Sequence, residues 1–243
     1  MRALILNSGM GKRMGSLTSG RPKCMIEIAR GETILSRQLR MLHKAQISDI
    51  VMTTGYMNDM LEKYCLGLGI DQNYTFVFNE HYNQTNYIYS VYLAHHYLHD
   101  DILMLHGDLV FEDSVLEDLL THKGSCMTIS SMLPLSPKDF KAVVDKGFIR
   151  EVGVEINDRS YAAQPLYKLE WADWSKWLDR IVVYCEKGQV TVYAEDALND
   201  VANQCSIKPL DFCNRLCTEI DNFADLEEVR KHIMQISQRR ESN

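Results

Sequence analysis

Short apolar runs rich in branched residues alternate with helix-length amphipathic segments through the first half of this chain, and that alternation leaves few folds open. Ala3 to Leu6, Ile50 to Thr54, Thr75 to Phe78 and Ile102 to Leu105 read as strands. Between them, Ile34 to Ala45, Asp59 to Tyr64 and Tyr89 to Leu98 set polar faces against apolar ones and read as helices. The order predicts an α/β fold with a largely parallel sheet and helices on both faces. A sheet of that kind holds its ligand in the crevice beyond the carboxyl ends of its strands. Chemistry is therefore expected just after Leu6, Thr54, Phe78 and Leu105.

The second half is less regular. Val143 to Ile156 carries the turn pair Lys146-Gly147 between two β-like runs, which predicts a hairpin. Trp171 to Tyr184 reads as a helix with a stop signal at Lys187-Gly188, and Asn222 as the N-cap of a last helix from Phe223 to Ile236. With no internal repeat or low-complexity linker, the 243 residues are expected to form one domain, residues 1–243, in which 133–215 is an inserted portion.

The 26 basic residues against 33 acidic ones give a net charge of −7, which argues against a nucleic-acid or membrane-surface partner but leaves room for a local anion site. No apolar stretch approaches the roughly 18 residues of a membrane span. The run Ala3 to Leu6 is too short for a secretory signal, so a cytoplasmic location is expected. Seven cysteines, sparse and odd in number, fit free thiols better than a disulfide framework.

Directly after the first strand comes Asn7-Ser8-Gly9-Met10-Gly11-Lys12-Arg13-Met14, and a short loop later Pro22-Lys23. Glycines let a backbone approach a polyphosphate with free N–H groups, and Arg and Lys neutralise its charge. Arg13 stands where a Walker A loop needs Ser or Thr, and Met14 where a dinucleotide fingerprint needs its third glycine, which excludes both.

Leu6 to Arg13 followed by Pro22-Lys23 resembles the signature of the nucleoside triphosphate transferase superfamily, whose members make NDP-sugars and CDP-alcohols. The resemblance implies a Rossmann-like, doubly wound, mixed but mostly parallel sheet with a small acceptor-binding insertion. It further implies that Leu6, Asn7, Ser8, Gly9, Gly11 and Gly107 bind the nucleotide. Arg13 and Lys23 are then the catalytic cations, with Lys23 at the α-phosphate. Asp108, after the strand ending at Leu105, and Asp221, before the last helix, resemble the superfamily's metal aspartates. Together they imply a magnesium site of the hard, oxygen-rich kind.

Residues 79–93 are similar to the cytidylyltransferase branch. That similarity implies CTP as substrate and adds Gly55, Tyr56, Asn86 and Ser90 to the nucleotide pocket. A carbonyl that accepts from the cytosine amino group would select cytosine over uracil. Residues 139–144, 149–154, 164–169 and 193–199 resemble the phosphonate cytidylyltransferases, which implies 2-aminoethylphosphonate, or else 2-hydroxyethylphosphonate, as acceptor. Lys141, Gln164 and Lys168 would then hold the phosphonate, and Glu195 or Asp196 a terminal ammonium. In that frame 1–132 is the nucleotide portion, 133–215 the acceptor portion, and 216–243 carries the second metal aspartate; the oligomeric state stays open. The rival acceptor is phosphocholine, whose quaternary ammonium favours an aromatic cage. Trp171, Trp174 and Trp177 suit a cage, but their spacing of three suits helix packing better. A nucleotide-binding regulator without activity is a further alternative. His95, His96 and His99 read as surface residues.

Overall fold

The computed structural model of the chain describes residues 1–156 and 160–241. In chain order the strands are β1 (Arg2–Asn7), β2 (Glu27–Ala29), β3 (Glu32–Thr33), β4 (Asp49–Thr54), β5 (Asn73–Phe78), β6 (Ile102–His106), β7 (Leu109–Phe111), β8 (Cys126–Ser130), β9 (Lys141–Asp145), β10 (Phe148–Gly153), β11 (Ser160–Leu169), β12 (Lys208–Asp211) and β13 (Cys217–Glu219). The α-helices are α1 (Ile34–Lys44), α2 (Asn58–Gly67), α3 (Tyr87–Ala94), α4 (Asp113–Thr121), α5 (Trp171–Glu186), α6 (Ala194–Val201) and α7 (Phe223–Glu241). No helix among the described residues is long and apolar enough to cross a membrane.

All four strands expected in the first half form, and they run parallel in the order β6-β1-β4-β5. Alternation along them explains why they read as continuous apolar runs. Leu4, Leu6, Ile102 and Met104 face one side, where they meet Val91 of α3 and Trp174 and Trp177 of α5. Ala3, Ile5, Leu103 and Leu105 face the other, against Leu35 and Leu39 of α1, Leu61 of α2 and Leu116 of α4. A sheet covered on both faces needs apolar residues at every position.

The second half joins this sheet rather than standing beside it. β11 lies antiparallel against β6, with Leu166 opposite Leu105 and Leu169 opposite Ile102. β11 also pairs with β8 and β9, extending the sheet to nine strands. The hairpin forms as expected between β9 and β10, with Lys146 and Gly147 both at positive φ, 51° and 80°, the geometry of a two-residue hairpin turn. Trp174 and Trp177 are fully buried, and their indole N–H groups donate to the Leu98 and Ala194 carbonyls. Packing, not a cage, accounts for them.

α7 runs to Glu241, beyond the expected end at Ile236. Asn222 caps it as expected: its Oδ1 accepts from the N–H groups of Ala224 at 2.8 Å and Asp225 at 3.1 Å. The helix buries Leu226, Val229 and Ile233 against Ile28, Ile34 and Ile220, which fixes the segment carrying Asp221. Asn222→Ala should cost about 1 kcal/mol of stability, read as a lower urea midpoint at unchanged slope. An unchanged midpoint would show the cap to be idle.

Candidate active site

Asn7, Thr54, Phe78 and His106 end their strands at the same edge of the sheet, as the parallel registers require. A cleft of about 420 Å³ opens there, lined by Leu6 to Arg13, Pro22 to Cys24, residues of the 82–87 segment, His106 to Asp108, and Asp221. Chain leaving β1 turns through Ser8 to Gly11 before a 3-10 helix at Lys12–Thr18. A side chain at Gly9 would meet no atom within 4 Å, so the backbone there is open to a ligand. Gly107 is the opposite case: a Cβ there would fall 1.7 Å from Asn7 Oδ1. Only glycine at 107 lets the Asn7 side chain occupy its place, where Nδ2 is buried and has no partner among the described residues.

A short 3-10 helix at Lys23–Met25, begun by Pro22, delivers Lys23 to the middle of the cleft. Its Nζ donates to Asp108 Oδ2 at 2.6 Å and to Asp221 Oδ1 at 3.1 Å. Arg13, largely exposed, donates to the same Asp221 oxygen at 2.9 Å. Two carboxylates distant in sequence thus converge on one cationic atom, and the Ile220 N–H bonded to the Asp108 carbonyl at 3.1 Å ties their backbones together. Burial works against the Lys23 charge, but Asp108 and then Asp221 outweigh it and hold its pKa above that of a free lysine. Burial likewise opposes ionisation of Asp108, and Lys23 with His106 more than compensates, holding its pKa below the ordinary value. The result is a charged cluster at neutral pH.

His106 and Glu219, each two residues before one of these aspartates, form a second layer that the sequence reading did not assign. His106 Nδ1 lies 2.8 Å from Glu219 Oε1, while Nε2 is buried without a partner among the described residues. Burial and the nearby Asp108 raise the Glu219 pKa despite the bond to His106. The signal was their position: each ends a strand two residues before one of the aspartates. Beneath them lies Glu195, 1% exposed, which accepts from Tyr167 at 2.8 Å and from Tyr87, a cleft residue. Burial and Glu195 push both phenol pKa values far up, so both remain donors.

The remaining expected site residues divide. Leu6, Asn7, Ser8, Gly9, Gly11, Arg13, Lys23, Asn86, Gly107, Asp108 and Asp221 all line the cleft. Gly55, Tyr56 and Ser90 do not. A Cβ at Gly55 would come within 2.5 Å of the Ser8 carbonyl oxygen and 2.7 Å of Tyr82 Cβ, so Gly55 lets these approach. The Tyr56 ring rests 6.5 Å from that of Tyr82, and Ser90, 1% exposed, touches Ser8 from behind.

On the acceptor side several expectations need correction. Lys168 lies opposite Leu103 and Cys126, toward the amino end of β6, because β11 runs antiparallel to it. Its ammonium donates to the Leu120 and His122 carbonyls at the wrong edge for a phosphonate. Lys141 is 3% exposed and donates to the Asp139 and Val154 carbonyls. Neither lysine is a free cation or a solvated strand charge. Asp196 caps α6, accepting from the Tyr193 N–H at 2.9 Å. Gln164 is buried on β11, outside the cleft lining, and its Oε1 has no partner among the described residues. Glu195 reaches the cleft only through Tyr87.

Residues 3–132 match the family model described as MobA-like NTP transferase domain. The chain is 26% identical over 255 residues to the CTP:phosphoglutamine cytidylyltransferase of Campylobacter jejuni, covering 93% of this chain and 98% of that protein. It is 31% identical to the CMP-5'-(3-aminopropyl)phosphonate synthase of Streptomyces rubellomurinus, over 56% of this chain but 22% of that longer protein. The structure of the CTP:phosphocholine cytidylyltransferase from Streptococcus pneumoniae superimposes with a TM-score of 0.78 at 17% identity, covering 96% of this chain and 98% of that one. At that identity the likeness speaks for the fold.

Proposed function

The chain belongs to the MobA-like NTP transferase family, and on that footing we propose that it is a magnesium-dependent cytidylyltransferase that couples CTP to 2-aminoethylphosphonate, releasing pyrophosphate and CMP-phosphonate. The observation that carries this reading is the convergence of Asp108 and Asp221 on Lys23 beside the glycine loop. In the reaction a phosphonate oxygen forms a bond to the α-phosphorus, the bond from that phosphorus to the bridging oxygen breaks, and the electron pair leaves with pyrophosphate. A phosphonate oxygen is already anionic, so the protein supplies position and charge, not a base.

The donor set fits magnesium. Both aspartates direct a carboxylate oxygen at the same Lys23 atom, so hard oxygen donors already converge on one point. His106, Asp108 and Glu219 also bring one ligand atom each within 4.8 Å of one another, but the imidazole nitrogen suits magnesium less well. When bound, magnesium would neutralise phosphate charge. Lys23 stabilises charge gathering at the α-phosphate, Arg13 holds the outer phosphates, and the Gly9 to Gly11 backbone offers N–H groups to them.

An aminoalkylphosphonate acceptor is supported by the likeness to the CMP-5'-(3-aminopropyl)phosphonate synthase of Streptomyces rubellomurinus. The charges lining the cleft do not choose the acceptor, since Asp108 and Asp221 stand there against Lys12, Arg13 and Lys23. A second reading, phosphocholine, draws on the aromatic wall in which the half-exposed Tyr193 ring lies 5.0 Å from Phe140 and 6.0 Å from Tyr87. Pyrophosphate release decides between them in a cross of CTP, UTP, ATP and GTP with 2-aminoethylphosphonate, 2-hydroxyethylphosphonate, phosphocholine, phosphoglutamine and a sugar 1-phosphate. The expected best pair is CTP with 2-aminoethylphosphonate. A preference for another acceptor by more than about tenfold in kcat/KM, some 1.4 kcal/mol, would refute the phosphonate assignment. Release from no pair would favour a silent regulator.

A further inference from the structure

Asn79, 1% exposed, follows the carboxyl end of β5 and has only one possible side-chain orientation. Its Oδ1 accepts from the His81 backbone N–H at 2.9 Å, which turns Nδ2 toward Thr85 Oγ1 and Ser90 Oγ, each 3.0 Å away. Thr85 commits its own proton to the His81 carbonyl at 2.9 Å and so receives the amide as an acceptor. Ser90 also receives the amide, and its hydroxyl donates to Ser8 Oγ at 2.9 Å. Ser8 Oγ is thereby filled from behind, and its proton has no acceptor among the described residues. An amide N–H cannot accept, so the direction of the whole chain of bonds is set by Asn79.

Ser8 lines the cleft, and its backbone carbonyl lies against Gly55. It belongs to the β4–β5–α3 side, away from Lys23, Asp108 and Asp221, which gather where phosphate charge must be met. The nucleotide's base therefore falls to the Ser8 side. We propose that Ser8 reads the base as a one-way hydrogen-bond donor, held in that polarity by Asn79 through Ser90, and so selects a pyrimidine whose N3 accepts. In cytosine N3 is an acceptor; in uracil it carries a proton and would face the Ser8 proton with no bond between them. An unmade bond of that kind in a buried site penalises the wrong ligand more than the right bond favours the correct one. The inference rests on the reading that the cleft takes CTP, and it assigns cytosine choice to a hydroxyl in addition to any carbonyl that meets the amino group.

The test is calorimetric binding of CTP and of UTP, in magnesium buffer without any acceptor, to the full chain and three variants. Wild type should bind CTP at least about tenfold more tightly than UTP. Ser8→Ala and Ser90→Ala should bring the ratio toward one. Asn79→Asp replaces the donor by an acceptor: Ser90 then donates to position 79, Ser8 donates to Ser90, and lone pairs face the cleft. That variant should favour UTP. If a buried charge at 79 unfolds the chain, Ser90→Ala cuts the same relay without one and its ratio decides. Variants that keep the wild-type ratio would overturn the relay while leaving the cytidylyltransferase reading in place. A wild type that prefers CTP yet releases no pyrophosphate with aminophosphonates in the acceptor cross would overturn only the acceptor, and a wild type without preference for CTP would overturn the relay and the cytidylyltransferase reading together.

Discussion

Lys23→Ala is expected to lower kcat for pyrophosphate release by about 10²–10³-fold, the loss typical of a donor aimed at developing charge in a water-poor site. The variant should stay folded, because Lys23 contributes charge to the cleft and not volume to the core. The fall should appear in kcat more than in the KM for CTP, since the contact matters most once negative charge has gathered at the α-phosphate. Lys23→Arg is a sharper version of the same test. The guanidinium keeps the charge but is planar and larger, while the ammonium bridges Asp108 and Asp221 through a single atom at 2.6 and 3.1 Å. Poor rescue by arginine would identify geometry, not charge alone, as the requirement. Near-wild-type turnover in Lys23→Ala would remove this residue from the reaction.

Asp108→Asn and Asp221→Asn should each reduce kcat by a comparable factor of about 10²–10³, because either change breaks the oxygen pair that would hold magnesium. Each variant should also need more magnesium to reach half its maximal rate, a readout that a purely structural role would not move. The double variant is expected to lose little more than the worse single one, since the two carboxylates act as a unit. Full additivity, or an unchanged magnesium requirement, would separate the aspartates from the metal.

Much of this fold was legible from local pattern. The strands of the parallel core announce themselves because both faces are buried, and the hairpin and the last helix carry their own turn and cap residues. The edge of the sheet that bears the cleft followed from the parallel order alone, and with it the positions of Ser8 and Asp108, whereas Lys23 came from the resemblance of Pro22-Lys23 to the superfamily's motif. The acceptor side was not legible, for a physical reason. A lysine or glutamate in a strand or helix shows its charge in the sequence but not its partner. Lys141 and Lys168 are engaged by backbone carbonyls, and Glu195 by two phenols, through contacts that no spacing encodes. The direction of β11 decided the matter for Lys168: antiparallel to β6, it carries that residue away from the cleft. His106 and Glu219 fall between these cases, since each stands two residues before its aspartate in the sequence while their mutual bond awaited the pairing of distant segments. Asn79 and Ser90 act by hydrogen-bond polarity, which residue type suggests and only geometry fixes.

The central claim is transfer of a cytidylyl group to a phosphorus-bound oxygen at this cleft, and phosphorus NMR of the purified chain with CTP, 2-aminoethylphosphonate and magnesium tests it most directly. The account predicts loss of the triphosphate signals with equal appearance of pyrophosphate and of a coupled pair of signals, one phosphonate and one phosphate, joined through an anhydride oxygen. Unchanged CTP, or its hydrolysis to nucleotide and phosphate with the phosphonate signal left intact, would contradict it.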